Sequence, residues 1–126
     1  AYSLGAEIAV VLEGTAANDL GDVEERFHVC TPGKGVCVSF MDRASIADRE
    51  LFKTMLKLSE EQGIPAQVKR GVTGGNDAAS FQLSGRGART VVLSVPCRYI
   101  HSANNVAKMS DIRAQADLVR AFLKSL

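Results

Sequence analysis

Apolar residues along the chain fall into two kinds of run. Ala6 to Leu12 is apolar apart from Glu7 and reads as a buried strand that ends at Glu13-Gly14. Thr90 to Val95 is a second such strand, closed by Pro96, and Val36 to Phe40 and Ala66 to Arg70 are shorter ones. Between them the period changes. Leu51, Phe52, Met55, Leu56 and Leu58 share one helical face, which Gly63 and Pro65 stop near Gln62. Ser45 with Asp48 three positions on reads as the capping box of that helix. Asn76 or Asp77 caps a short helix to Leu83, and Ser110 caps a last helix that carries Ile112, Ala116, Val119, Phe122, Leu123 and Leu126. Residues 14 to 35 are glycine-rich and polar and read as one long loop.

Strands alternating with helices, two of the strands predominantly apolar, predict an α/β three-layer sandwich on a mainly parallel sheet. With 126 residues the chain is one domain. Its net charge of +1 comes from 15 basic and 14 acidic side chains with no block of one sign, which argues against a nucleic-acid binder. No apolar run approaches a membrane span, and no signal peptide pattern opens the chain, so no membrane partner is expected. Three cysteines, an odd number, fit free thiols in a reducing cytoplasm better than a disulfide framework. Zinc on His28, Cys30 and Cys37 would need a ligand spacing that no standard site uses.

Open α/β sheets bind ligands beyond the carboxyl ends of their strands. Glu13 falls at one such end and His101 shortly after another, and a carboxylate with an imidazole suits zinc, cobalt or manganese. Each has a plainer reading, a solvated strand-end acid and a structural histidine. Thr73-Gly74-Gly75-Asn76-Asp77, with Lys69 and Arg70 nearby, offers a phosphate cradle, although Asp77 would repel an anion there and the spacing is not that of a P-loop. Cys97 with His101 invites a cysteine-nucleophile reading, against which stands the absence of an orienting third residue.

Four segments taken together carry a resemblance. They are Val10 to Ala16 with Asp19, Met41-Asp42-Arg43, Thr73 to Ala78, and Val95-Pro96-Cys97-Arg98-Tyr99-Ile100-His101-Ser102. In order and spacing they resemble the C-terminal part of the glutamyl aminopeptidase family, the dinuclear-metal tetrahedral aminopeptidases also described as cellulase or endoglucanase M. Asn76, Ala79 and Ala103 stand where threonine, glycine and proline are common in that family.

The resemblance implies an enzyme two to three times longer, in which residues 1–126 form the C-terminal portion of the catalytic domain and an inserted β-rich domain is absent. It implies hydrolysis of N-terminal residues from peptides by two divalent ions, zinc or cobalt. Glu13 matches the carboxylate on one metal and His101 the histidine on the other. The remaining ligands and the general-base glutamate are expected upstream of residue 1, so no catalytic residue is expected in the chain itself. Gly74, Gly75, Asp77, Arg98 and Tyr99 fall in the substrate-binding or loop segments. A cytoplasmic homo-oligomer and peptide substrates complete the expectation. The competing expectation is a non-catalytic α/β module for assembly or small-ligand binding.

Overall fold

A computed structural model describes residues 1–126. Five strands form one sheet: β1 (Ile8–Ala16), β2 (Val36–Ser39), β3 (Ala66–Val68), β4 (Arg89–Arg98) and β5 (Val106–Ala107). Three helices accompany them: α1 (Arg49–Glu61), α2 (Ala78–Leu83) and α3 (Met109–Lys124). The order across the sheet is β1-β4-β2-β3, and β5 pairs with the far end of β4. The layered α/β class is the expected one. So is the mainly parallel sheet: β1 runs parallel to β4 over nine residue pairs and β2 parallel to β3 over three, and the sheet is mixed because β2 and the short β5 meet β4 antiparallel over three and two pairs. Apolar runs show that β4 is buried on both faces, and they carry nothing about the direction of a neighbour.

Side chains alternate along each strand and so assign the two faces. Val91 and Leu93 of β4, with Val36 and Val38 of β2, pack against Leu51, Met55 and Leu58 of α1 and Ala114, Leu118 and Phe122 of α3. Val92 points the other way and packs with Val11 of β1 and Ala78 of α2. The sheet thus lies between α1 and α3 on one side and α2 on the other. Leu118 and Met55 are fully buried at the centre of the larger core, where truncation to alanine costs about 2–5 kcal/mol.

Several boundaries move for local reasons. Asp48, not Ser45, caps α1: its carboxylate accepts the Glu50 and Leu51 amides at 3.1 and 3.0 Å. Ser45 is held instead by Asp42, which accepts its amide at 2.8 Å and its hydroxyl at 3.0 Å. At α3 the N-cap is Lys108 without a side-chain bond, and Ser110 lies inside the first turn. β4 runs through Pro96 to Arg98 because that proline sits between the last residue paired with β2, Ser94, and the first paired with β5, Cys97. Its missing N–H therefore costs no bond on that side. β1 likewise continues past Glu13 to Ala16, paired residue by residue with β4.

Candidate functional site

Because β1 and β4 are parallel, their carboxyl ends share one rim of the sheet. Glu13 lies two residues beyond Val11 on the face that carries α2, directly beside Ser94. The chain leaves β4 at Arg98 and turns back through Tyr99 and His101, both with positive φ, 57° and 65°. That reversal brings His101 over the same rim. Glu13 and His101 line one cavity of about 540 Å³, together with Lys69, the Thr73 to Asp77 loop and Ser94. The two residues singled out as metal donors, 88 positions apart in sequence, are thus brought to one concave site.

The loop across this cavity is fixed from below by Asp42, which is buried. Its carboxylate accepts the Ala44 and Ser45 amides at 2.7 and 2.8 Å and also the Asn76 side-chain amide. The Arg43 amide reaches the Gly74 carbonyl at 2.9 Å. Gly74 has φ +65°, a conformation that glycine adopts without strain, while a side chain on Gly75 would press within 3.2 Å of Ala44. Asn76 Oδ1 accepts the Ala78 amide at 2.9 Å and so starts α2. Asp42 is the residue whose role sequence reasoning missed. Its signal was the Asp-x-x-Ser spacing at 42 and 45, which reads equally well as an ordinary turn.

Both donors are chemically free. The imidazole of His101 makes no hydrogen bond within the chain, and Glu13 Oε1 accepts one long bond, from the Asp77 amide at 3.5 Å. Desolvation is the largest influence on Glu13 and pushes its carboxyl above the ordinary value, helped by the charges of Asp77 and Asp42 and opposed by the Asp77 amide and Lys69. A half-buried carboxylate with neighbouring acids is relieved by a cation. In donor chemistry the pair fits a divalent ion. In number it is incomplete, since no group of three His, Cys, Asp or Glu side chains in the chain could hold a metal ion.

The other singled-out residues are placed elsewhere. Arg98 pairs with Asp19, with contacts of 2.8 to 3.3 Å, and neither Arg98 nor the exposed Tyr99 lines the cavity. The Arg98 guanidinium holds Asp19 below the usual carboxylate range. Cys97 is buried, its thiol aimed at the Val95 carbonyl at 3.3 Å, and burial pushes its pKa up, the reverse of what a nucleophile needs. His28 spends its Nε2 on the Val23 carbonyl at 2.9 Å, and Cys30 and Cys37 are buried together as free thiols. None of these three forms a metal cluster.

The family pattern described as M42 glutamyl aminopeptidase matches residues 1–118. The lysyl aminopeptidase of Pyrococcus furiosus is 28% identical over an alignment that covers 99% of this chain and 35% of that protein. An aminopeptidase from the archaeon Desulfurococcus kamchatkensis superposes with a TM-score of 0.95 at 25% identity, over 99% of this chain and 36% of that one. The Pyrococcus horikoshii TET1 peptidase, described as able to assemble into a tetrahedron or a large octahedral shell, superposes with a TM-score of 0.73 at 30% identity, over 92% of this chain and 32% of that one. The chain spans 34–36% of the length of the curated relatives it matches.

Proposed function

Since the chain belongs to the M42 glutamyl aminopeptidase family, we propose that it supplies one wall of a two-metal aminopeptidase centre acting on peptides. The observation that carries this reading is the meeting of Glu13 and His101, both without strong partners, in one cavity at the rim of the sheet. Glu13 would hold one divalent ion, zinc or cobalt, and His101 the other. Such ions, when bound, supply an activated water and polarise the scissile carbonyl.

The chain's own residues do the holding and shaping. β1 places Glu13 on the rim, where its carboxylate meets only the Asp77 amide, at 3.5 Å, and is left open to a cation. Asp42 keeps the Gly74 loop in one conformation across the cavity. Further ligands, a bridging carboxylate and the general base belong, on this reading, to the other two-thirds of an enzyme of the relatives' length. Residues 1–126 are then the C-terminal portion of its catalytic domain. A cytoplasmic setting is part of the proposal, and so is assembly of several copies, which is what is described for the horikoshii TET1 peptidase. No helix is long and apolar enough to cross a membrane.

The absence of any three-donor group favours a second statement about residues 1–126 taken alone, namely that they form a non-catalytic α/β module. Two terminal donors cannot hold two dications close together without a bridging negative charge. An aminoacyl chromogenic assay of the 126-residue chain with added zinc, cobalt or manganese tests this. No turnover is expected. Turnover abolished by His101→Ala would show that the chain carries a complete centre.

A further inference from the structure

We propose that Asp77 is the residue that receives the free α-ammonium of the peptide substrate, and so makes the site an exopeptidase site. The inference rests on the function proposed above and adds a substrate-binding role to it. Asp77 precedes the first residue of α2, the position where an aspartate normally bonds to the amides of the first helical turn. Here it does not. Its backbone is helical, φ −66° and ψ −14°, and its side chain makes no capping bond. Asn76 takes that work, accepting the Ala78 amide at 2.9 Å while its own amide is held by Asp42. The Asp77 carboxylate is thereby released from local duty. It enters no ion pair either, whereas the cavity's lysine, Lys69, already donates to the Thr73 carbonyl at 3.0 Å.

Its position gives the free carboxylate a use. Asp77 lines the same cavity as Glu13 and His101, and its amide is the group that touches Glu13 Oε1. An acid beside the metal donors would ordinarily be taken as a third ligand, but Glu13, His101 and Asp77 do not form a group that could hold a metal ion. What remains for a free carboxylate on the wall of the cavity that Glu13 and His101 line is a cation brought by the substrate. In a peptide cut at its first bond, that cation is the terminal ammonium, a few ångströms from the scissile carbonyl. A charge-assisted bond of this kind contributes about 1.5–3 kcal/mol, which corresponds to roughly 10–100-fold in affinity.

The test uses the longest form of the protein that its gene encodes. Leucyl-p-nitroanilide kinetics are measured alongside calorimetric binding of leucinamide and of N-acetyl-leucinamide, which lacks the charge. Asp77→Asn should raise KM and the leucinamide Kd about tenfold or more, leave kcat within about threefold, and leave N-acetyl-leucinamide binding unchanged. Asp77→Glu should restore part of the loss. Divalent-ion stoichiometry should be that of the wild type. Unchanged leucinamide affinity overturns the proposal, as does loss of a bound ion in Asp77→Asn or a wild type that binds both amides alike. Failure of the underlying functional reading shows separately, as ion stoichiometry that Glu13→Gln and His101→Ala leave untouched.

Discussion

The carboxylate of Asp111, fully buried at the start of α3, accepts the Gly35 amide at 3.0 Å across 76 positions of sequence. The Gly33 amide meets its other oxygen at 2.6 Å. These bonds close the long loop after β1 onto the helix that covers the core. They also set the entry of β2, since Gly35 directly precedes Val36 with φ +90° and has the Pro65 carbonyl where a side chain would stand. Gly35→Ala should therefore cost more than about 3 kcal/mol, because a backbone atom cannot give way as a side chain does. Gly74→Ala, at φ +65° with open space around it, should cost only about 1 kcal/mol. Urea denaturation of the two variants separates these outcomes.

Asp48 joins a helix cap to a surface ion pair. It caps α1 and accepts Arg89 at 2.9 and 3.0 Å. The Arg89 guanidinium, foremost, and then the capped amides hold its pKa down to about 2. A depressed carboxyl contributes stability that is fully present above its unfolded value and lost as pH falls through the folded one. Asp48→Ala should thus lose about 1 kcal/mol at neutral pH, and the difference from wild type should shrink between pH 4 and pH 2. Thermal melts across that range measure it.

Glu13 has the opposite sign. Burial raises its carboxyl, so the metal-free fold carries an ionised group it would rather protonate, and stability improves as pH falls through the raised value toward the unfolded one. Glu13→Gln should stabilise the metal-free protein near neutral pH, with the gain fading in acid, while weakening metal binding. A site residue whose removal improves folding is a residue kept for function.

β1 has one partner, β4, so one side of this nine-residue strand is unpaired, and Leu12 on it is about half exposed. Bare edges of this length pair with other chains. The 126-residue chain should associate as concentration rises in analytical ultracentrifugation, and Leu12→Lys should reduce that association. A wild type that stays monomeric at high concentration would count against it.

The sequence makes some of this visible and hides the rest for physical reasons. The apolar run at residues 90–95 reveals a doubly buried strand, but nothing in Val38 or Leu93 says that β2 and β4 run in opposite directions. Ser45 and Ser110 satisfy the pattern of a helix cap, yet capping is decided by tertiary partners: Asp42 holds Ser45, and Arg89 steadies Asp48. Glu13 and His101 are legible as strand-end donors because parallel neighbours share a rim. Asp42 is not, because its part lies in bonds to Asn76 and the loop at Gly74, more than thirty positions away.

On the proposed reading, Glu13 and His101 each hold one ion of a shared centre. Titration of zinc into the longest form of the protein its gene encodes, followed by calorimetry with bound metal counted by mass spectrometry, tests it most directly. Two ions per chain are expected for the wild type and about one for each of Glu13→Gln and His101→Ala, with the fold intact by circular dichroism. Two ions retained by both variants would show that neither side chain is a ligand.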